Sequence, residues 1–300
     1  MRLLGIRRGA KYSPNLVDSD AAIFNKVAEN LIEMGHHVDV VNEDEMCDVH
    51  YDMYDRVFGM ERDCCNIRKM AERMQEGDMK KFANSLSGIM ACTSKGTICV
   101  RMQDANVPQP DYVYYNGGVV RQRMCGNSRQ QAQASMAADK QCDAEECLGY
   151  PLWVKNSDSS AVTSADTSYC TTDYERRAAI ADFRKRGVKA WIEQRHLPGD
   201  LIKFYGVEGT GFFHWQYASD GHSKFGLESI NGKEVGYSFD ASAIKVSVDR
   251  LASSMDVPIY GGDAIIDADG HFWIIDFNDF PSFSSCREEA AKAIAWRIVK

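Results

Sequence analysis

Apolar and polar positions change period several times along these 300 residues, and each change marks an element. Arg2 to Ile6 reads as a short apolar strand that opens into a polar loop, Arg7 to Ser19. From Asp20 the apolar positions Phe24, Val27, Ala28, Leu31 and Ile32 keep helical spacing until Gly35 stops them. Val38 to Val41 and Tyr54 to Met60 read as the next strands, the second followed by Glu61-Arg62-Asp63 and a helix to about Glu76. This βαβ rhythm predicts a small parallel sheet. The loop carrying Arg7, Arg8, Lys11, Ser13 and Asn15 lies at its carboxyl edge, where such sheets place ligand contacts. Arg62, just past a strand end, has two readings, a holder of a substrate anion or half of a surface salt bridge.

Asn84-Ser85 begins a helical segment to about Ala105, with Thr93-Ser94 offering a cap before Lys95 and Pro108 and Pro110 closing it. Gly117 to Leu148 is polar and weakly patterned; a surface helix is expected within it. Pro151 to Lys155 is an apolar strand ending in lysine. Thr172-x-x-Glu175 is a capping box that opens a helix to about Arg186, before Gly187. Lys189 to Gln194 is a strand, and Leu201 to Val207 and Gly211 to Tyr217 read as a meander. An amphipathic helix over Ala241 to Met255 precedes two apolar runs, and Ser285-x-x-Glu288 is expected to cap a last helix, Cys286 to Val299.

Those two runs, Ile259 to Ile266 and Phe272 to Phe277, flank Asp269-Gly270, which favours a two-residue hairpin turn. A turn centred there sets Asp263 opposite Asp276, and alternation along the strand puts Asn278 on the same face as Asp276. Carboxylates gathered in an apolar hairpin need a compensating cation or hydrogen bonds. Oxygen donors without His or Cys suit Mg²⁺. A solvated hairpin whose acids only cap loops is the plain alternative.

A hydrophobic content of 44% supports a sizeable core in two or three subdomains. The formal charge of −8 argues against a nucleic-acid or anionic-membrane partner. No apolar run approaches the ~18 residues of a membrane span. MRLLGIRRGA lacks the apolar core of a secretory signal. The ten cysteines, without a Cys-x-x-Cys, then read as reduced thiols of a cytoplasmic protein.

Gly261-Gly262-Asp263, then Asp276-Phe277-Asn278-Asp279-Phe280-Pro281, resemble the C-terminal metal hairpin of the ATP-grasp superfamily. Four more segments resemble it in the same order, and together they cover about residues 84–300. The resemblance implies an α/β N-terminal domain followed by a two-lobed α+β ATP-grasp module, divided at about 1–105, 106–198 and 199–300. It implies ATP and Mg²⁺ between the lobes, with Asp263, Asp276 and Asn278 on the metal and Lys95 and Lys155 on nucleotide phosphates. The loop after Lys155 lacks the family's glycines, leaving Ser159 and Ser160 as phosphate donors. The segment Glu193 to Asp200 matches the nucleotide hinge. Gln194, Arg195 and His196 stand at the adenine edge, Glu193 is the leading acid, Asp200 is the ribose acid seven positions on, and Ile275 contacts the nucleotide. Lys203 takes the place of the basic residue that contacts the transferred phosphate or the acceptor.

The implied activity is ATP-dependent joining of a carboxylate to an amine or thiol through an acylphosphate, in the style of glutathione-synthetase and RimK-like ligases. Partners would be small-molecule or peptide carboxylates and amines, and homodimers are common in the family. The hairpin is also similar to inositol-phosphate kinases of the superfamily, whose acceptor is a hydroxyl. A nucleotide-binding regulatory protein that kept the fold is a third reading.

Overall fold

Three separate sheets carry the chain, and the computed structural model describes residues 1–123, 148–220 and 225–300. The first sheet comprises β1 (Arg2–Arg7), β2 (His37–Asn42) and β3 (Arg56–Gly59), all parallel, in the order β2-β1-β3. Helix α1 (Val17–Glu33) starts three residues earlier than its spacing predicts. It buries Ile23, Phe24, Val27 and Leu31, whereas Ile32 is 57% exposed, so the apolar stripe is narrower than expected. Asp63 accepts from the N–H groups of Cys65 (3.0 Å) and Asn66 (3.1 Å) and starts α2 (Cys64–Arg73). The short α3 (Glu76–Met79) follows.

The helical segment expected over 84–105 is two helices, α4 (Leu86–Cys92) and α5 (Lys95–Asp104), divided at the Thr93-Ser94 cap that the sequence offers before Lys95. Ser85 Oγ accepts the Gly88 N–H at 3.1 Å, and Ser94 Oγ accepts the Thr97 N–H at 3.3 Å. Between them Thr93 Oγ1 donates to the Met90 carbonyl at 2.7 Å. Hydroxyl side chains that satisfy backbone groups locally favour such a break. The break makes Lys95 the first residue of a new helix.

The second sheet has the order β5-β4-β8-β6-β7. It contains β4 (Tyr112–Asn116), β5 (Val119–Arg123), β6 (Leu152–Asn156), β7 (Thr167–Cys170) and β8 (Ala190–Arg195). Helix α6 (Asp173–Lys185) packs Ile180 and Phe183 onto Val113, Leu152, Val154 and Cys170, covering one face. Strands β4 and β5 form a hairpin that turns at Gly117-Gly118, both with positive φ. That hairpin occupies the start of the segment where a surface helix is expected; the rest of it, 124–147, lies outside the described residues.

The third sheet is antiparallel, in the order β10-β9-β11-β12. Its strands are β9 (Asp200–Val207), β10 (Phe213–Tyr217), β11 (Ile259–Ile266) and β12 (Phe272–Asp279). Helix α7 (Ala241–Met255) buries Ile244, Val248, Leu251 and Met255 with Phe204, Tyr260 and Ile266 in one core. Helix α8 (Arg287–Val299) returns to the first sheet and shares a core with α1 through Ala290, Ile294 and Ile298. The expected Ser285 capping box does not form, because Cys286 holds the cap position without a side-chain bond. Among the described residues no helix is long and apolar enough to cross a membrane.

Candidate active site

Asp263 and Asp276 face each other across β11 and β12, but not through the turn that the sequence predicts. The reversal runs from Asp267 to His271. The Asp267 N–H bonds the His271 carbonyl, and the Gly270 N–H bonds the Asp267 carbonyl, each at 3.0 Å. This wider turn slips the pairing by one residue, so that Ile266 faces Phe272 and Ala264 faces Ile274. A bulge at Ile275 then restores the register and sets Asp263 opposite Asp276 and Gly261 opposite Asn278. The two departures cancel at the acids. The bulge also turns both Ile275 and Asp276 toward one cleft, which the alternation of an unbroken strand forbids, while Ile274 and Phe277 stay in the core. Close approach of the bulged strand needs glycine at position 262, where a Cβ would lie 2.2 Å from the Asp276 carbonyl oxygen.

The acids are already gripped by cations. Lys95 Nζ lies 2.5 and 2.6 Å from the two oxygens of Asp276 and 3.4 Å from Asn278 Oδ1. Asn278 Nδ2 donates to Asp276 Oδ2 at 3.0 Å. Lys203, on β9, stands directly opposite Asp263 on β11, with Nζ 3.5 Å from its Oδ1 and 3.3 Å from Glu228. Burial works against both acids. It raises Asp263, with Lys203 opposing and Asp276 adding to the rise. At Asp276 burial is outweighed by Lys95 and Lys155, which hold the group below its ordinary value. Lys155 donates to Gln194 Oε1 at 2.7 Å, and burial lowers its affinity for a proton. Oxygen donors that gather ammonium groups in this way, Asp276 and Asn278 on Lys95 and Asp263 on Lys203, also suit a hard divalent cation.

Lys95, Asp263 and Asp276 stand at the seam of a two-part cleft. One part is a concave, mostly apolar recess with a few polar groups, the character of a small-molecule site. Its apolar walls are Trp153, Leu197, Leu201, Ile265 and Ile275, and Lys155, Gln194, Arg195, His196, Glu228 and Asn231 bring polar groups to it. The other part is more polar and reaches the first sheet, with Arg8, Tyr12, Asp20, Arg62, Ser160, Lys203, Tyr205, Asn278, Ser282 and Ser284 around it.

Some expected residues lie elsewhere. Glu193 and Gln194 are neighbours on β8, so they point to opposite faces. Gln194 faces the cleft, whereas Glu193 is fully buried beneath α6 and pairs with Arg176 at 2.6 Å. Asp200 likewise points away from the cleft-facing Leu201. Its carboxylate accepts the backbone N–H groups of Val235 (2.6 Å), Gly236 (2.8 Å) and Tyr237 (2.8 Å). The His196 N–H bonds the Pro151 carbonyl at 3.2 Å, while its ring lines the cleft beside Trp153. Arg62 is neither on the surface nor uncompensated; it is 7% exposed and ion-paired with fully buried Asp279.

In the glycine-free loop Ser160 reaches the cleft wall but Ser159 does not. Ser157 docks this loop on the start of α5, accepting the Gly96 N–H at 2.8 Å and bonding Ser94 Oγ at 2.9 Å. Asp166 shapes the rest by binding Asn156 (3.0 Å), the N–H groups of Val162 and Thr163 (3.0 Å each) and Arg186 (2.8 Å). Burial alone would raise Asp166, but these donors hold it down at about 2. Trp153, Thr167, Phe225, Glu228, Asn231 and Ile265 are cleft residues that the sequence reading missed. Trp153 and Ile265 carried a signal, since each lies two positions along a strand from an expected site residue, Lys155 and Asp263.

At the level of sequence, no family model and no curated protein matches the chain. Solved structures do match in shape. The D-alanine–D-alanine ligase of Bacillus anthracis, complexed with ATP, superposes with a TM-score of 0.65 at 11% identity, covering 100% of this chain and 96% of that one. A RimK domain ATP-grasp protein of Sphaerobacter thermophilus gives 0.63 at 11% identity, with 100% of both chains covered. The N5-carboxyaminoimidazole synthetase of Staphylococcus aureus gives 0.58 at 12% identity, over 98% of this chain and 77% of that one. The chain has the fold of the ATP-grasp superfamily.

Proposed function

We propose that this protein is an ATP-dependent ligase that joins a carboxylate to an amine or thiol through an acylphosphate. The observation that carries this reading is the seam of the cleft, where Lys95 binds Asp276 and Asn278 and Lys203 faces Asp263, between an apolar-walled part and a polar part. The apolar part, between Trp153, Ile265 and Ile275, takes the nucleotide base. Lys155 and Lys95 neutralise its phosphates, and Lys155, held in a site that disfavours its charge, gains most when an anion arrives. Asp263, Asp276 and Asn278 are the residues that would hold magnesium. Bound there, the metal supplies Lewis-acid charge to phosphoryl oxygens. Lys203, Ser160, Ser282 and Ser284 face the polar part, where the acceptor carboxylate sits in line with the terminal phosphate. The likeness to a ligase complexed with ATP supports both the nucleotide and the reaction class.

The charges of the polar part favour this reading over a kinase for a polyphosphorylated alcohol. Arg8, Arg62, Lys95 and Lys203 each have a carboxylate partner within 3.5 Å. Such an acceptor would need cations not already matched by acids. A screen of acid–amine pairs tests the proposal. ADP and phosphate should appear only when both partners are present; ADP formed with phosphate moved onto a single hydroxyl compound would establish the kinase instead.

Asp200 gives a separate expectation. Asp200→Ala strands three backbone N–H groups and should lower unfolding free energy by about 2–4 kcal/mol. ADP affinity measured by calorimetry below the unfolding transition should stay within about twofold of wild type. A tenfold loss of affinity at unchanged stability would return Asp200 to the ribose site.

A further inference from the structure

The backbone just past Asn278 is unusual. Phe280 has φ +29° and Phe283 has φ +46°, although both are bulky and buried. Such conformations cost roughly 1–3 kcal/mol each and persist only where their surroundings over-determine them. Two arginines from the loops of the first sheet constrain the start of this segment, at residues 279 and 280. Arg62 grips the Asp279 carboxylate through Nη1 and the Asp279 carbonyl through Nη2 at 2.8 Å. Arg8 donates through Nη2 to the Phe280 carbonyl at 2.9 Å and through Nε to the Met60 carbonyl at 2.9 Å. Both loops are in turn tied together by Glu43, which accepts the N–H groups of Gly9 (2.6 Å), Arg62 and Asp63 (2.5 Å).

A buried ion pair is close to neutral for stability against an apolar replacement, so stability alone does not account for placing these charges here. What the clamp fixes is geometry. It holds the carbonyls of residues 279 and 280, between Asn278 on one side and the cleft-facing Ser282 and Ser284 on the other. We propose that Arg62 and Arg8 are positioning residues through which the N-terminal sheet sets the aim of Asn278 at the cation site and the placement of the adjoining cleft wall. This rests on the reading of Asp263, Asp276 and Asn278 as the metal ligands.

The test measures Mn²⁺ binding by electron paramagnetic resonance, with and without ADP, alongside metal-free ADP binding by calorimetry. Removing Arg62 alone would leave Asp279 buried and unpaired, so the first variant is Arg62→Met with Asp279→Leu, which replaces the pair by apolar groups. With ADP present, its Mn²⁺ affinity should fall about 10- to 100-fold, as when a support behind a metal ligand is lost. Metal-free ADP affinity should stay within about twofold. Should the double variant fail to fold, Arg62→Lys carries the test, because it keeps the charge but loses the two-pronged grip; the same loss of Mn²⁺ affinity is expected. Wild-type Mn²⁺ affinity in a folded variant overturns the positioning role. Absence of ADP-dependent Mn²⁺ binding in the wild-type protein itself overturns the metal reading, and this inference with it.

Discussion

Asp276→Ala should abolish turnover, by at least about 10³-fold, while the protein stays folded. That factor corresponds to about 4 kcal/mol of transition-state stabilisation, within what a metal-held phosphoryl group gains. The expectation follows from the position of the side chain at the seam of the cleft, opposite Asp263 and bonded to both Lys95 and Asn278. The fold should survive because the group is partly exposed at the cleft rather than packed in a core, and Lys95, at 21% exposure, can reach water when its partner is gone. Asp276→Asn separates charge from shape: it keeps the bulge and an oxygen donor, so it should lose most of the activity and retain the wild-type melting temperature within about 3 °C. Mg²⁺-dependent ADP release within tenfold of wild type in the alanine variant would remove Asp276 from the site.

How legible the site was depended on which period governed each residue. Helical spacing around Phe24 and Val248 and the strand runs around Val154 and Phe204 placed α1, α7 and the central strands, since burial of one face dictates both. The meeting of Asp263 with Asp276 was legible from the hairpin pattern, whereas Lys95 and Lys155 were implied only by the resemblance to the ATP-grasp superfamily. The errors arose where motif spacing was followed without strand parity. Glu193 and Gln194 cannot face the same side of β8, nor Asp200 and Leu201 the same side of β9, and in each pair the apolar or amide residue faces the cleft. Strands β4, β5 and β7 were missed although Asn116-Gly117-Gly118 carries a hairpin turn signal. The bulge at Ile275 is invisible to alternation, because it depends on how the turn at Asp267 to His271 closes. Long-range partners such as Arg62 with Asp279, 217 residues apart, carry no local signal at all.

Glu61 makes the stability of the protein pH-dependent in an uncommon direction. It is fully buried, and neither carboxyl oxygen is hydrogen-bonded to another described residue. Burial pushes its pKa from the ordinary 4.5 up to about 8, with negative Asp279 and Glu43 adding to the rise and Arg62 opposing it. The folded protein therefore holds a proton that the unfolded chain has already released between about pH 4.5 and 8. In that window the folded state binds more protons, so stability falls as pH rises. Below pH 4.5 both states are protonated and the effect vanishes; above pH 8 both are ionised and the loss is complete, reaching at most about 5 kcal/mol. Glu61→Gln keeps the shape and stays neutral, so urea unfolding of wild type and variant isolates the term from every other titrating group. The variant should be close to wild type at pH 5 and more stable by several kcal/mol at pH 8, the gap opening steadily between them. A gap that stays constant within 0.5 kcal/mol (about one third of the energy of one pH unit) from pH 5 to pH 8 would show that Glu61 is ionised in the folded protein throughout. The buried charge would then be balanced by Arg62 beside it, and the clamp on Asp279 would have to share that arginine with a second acid.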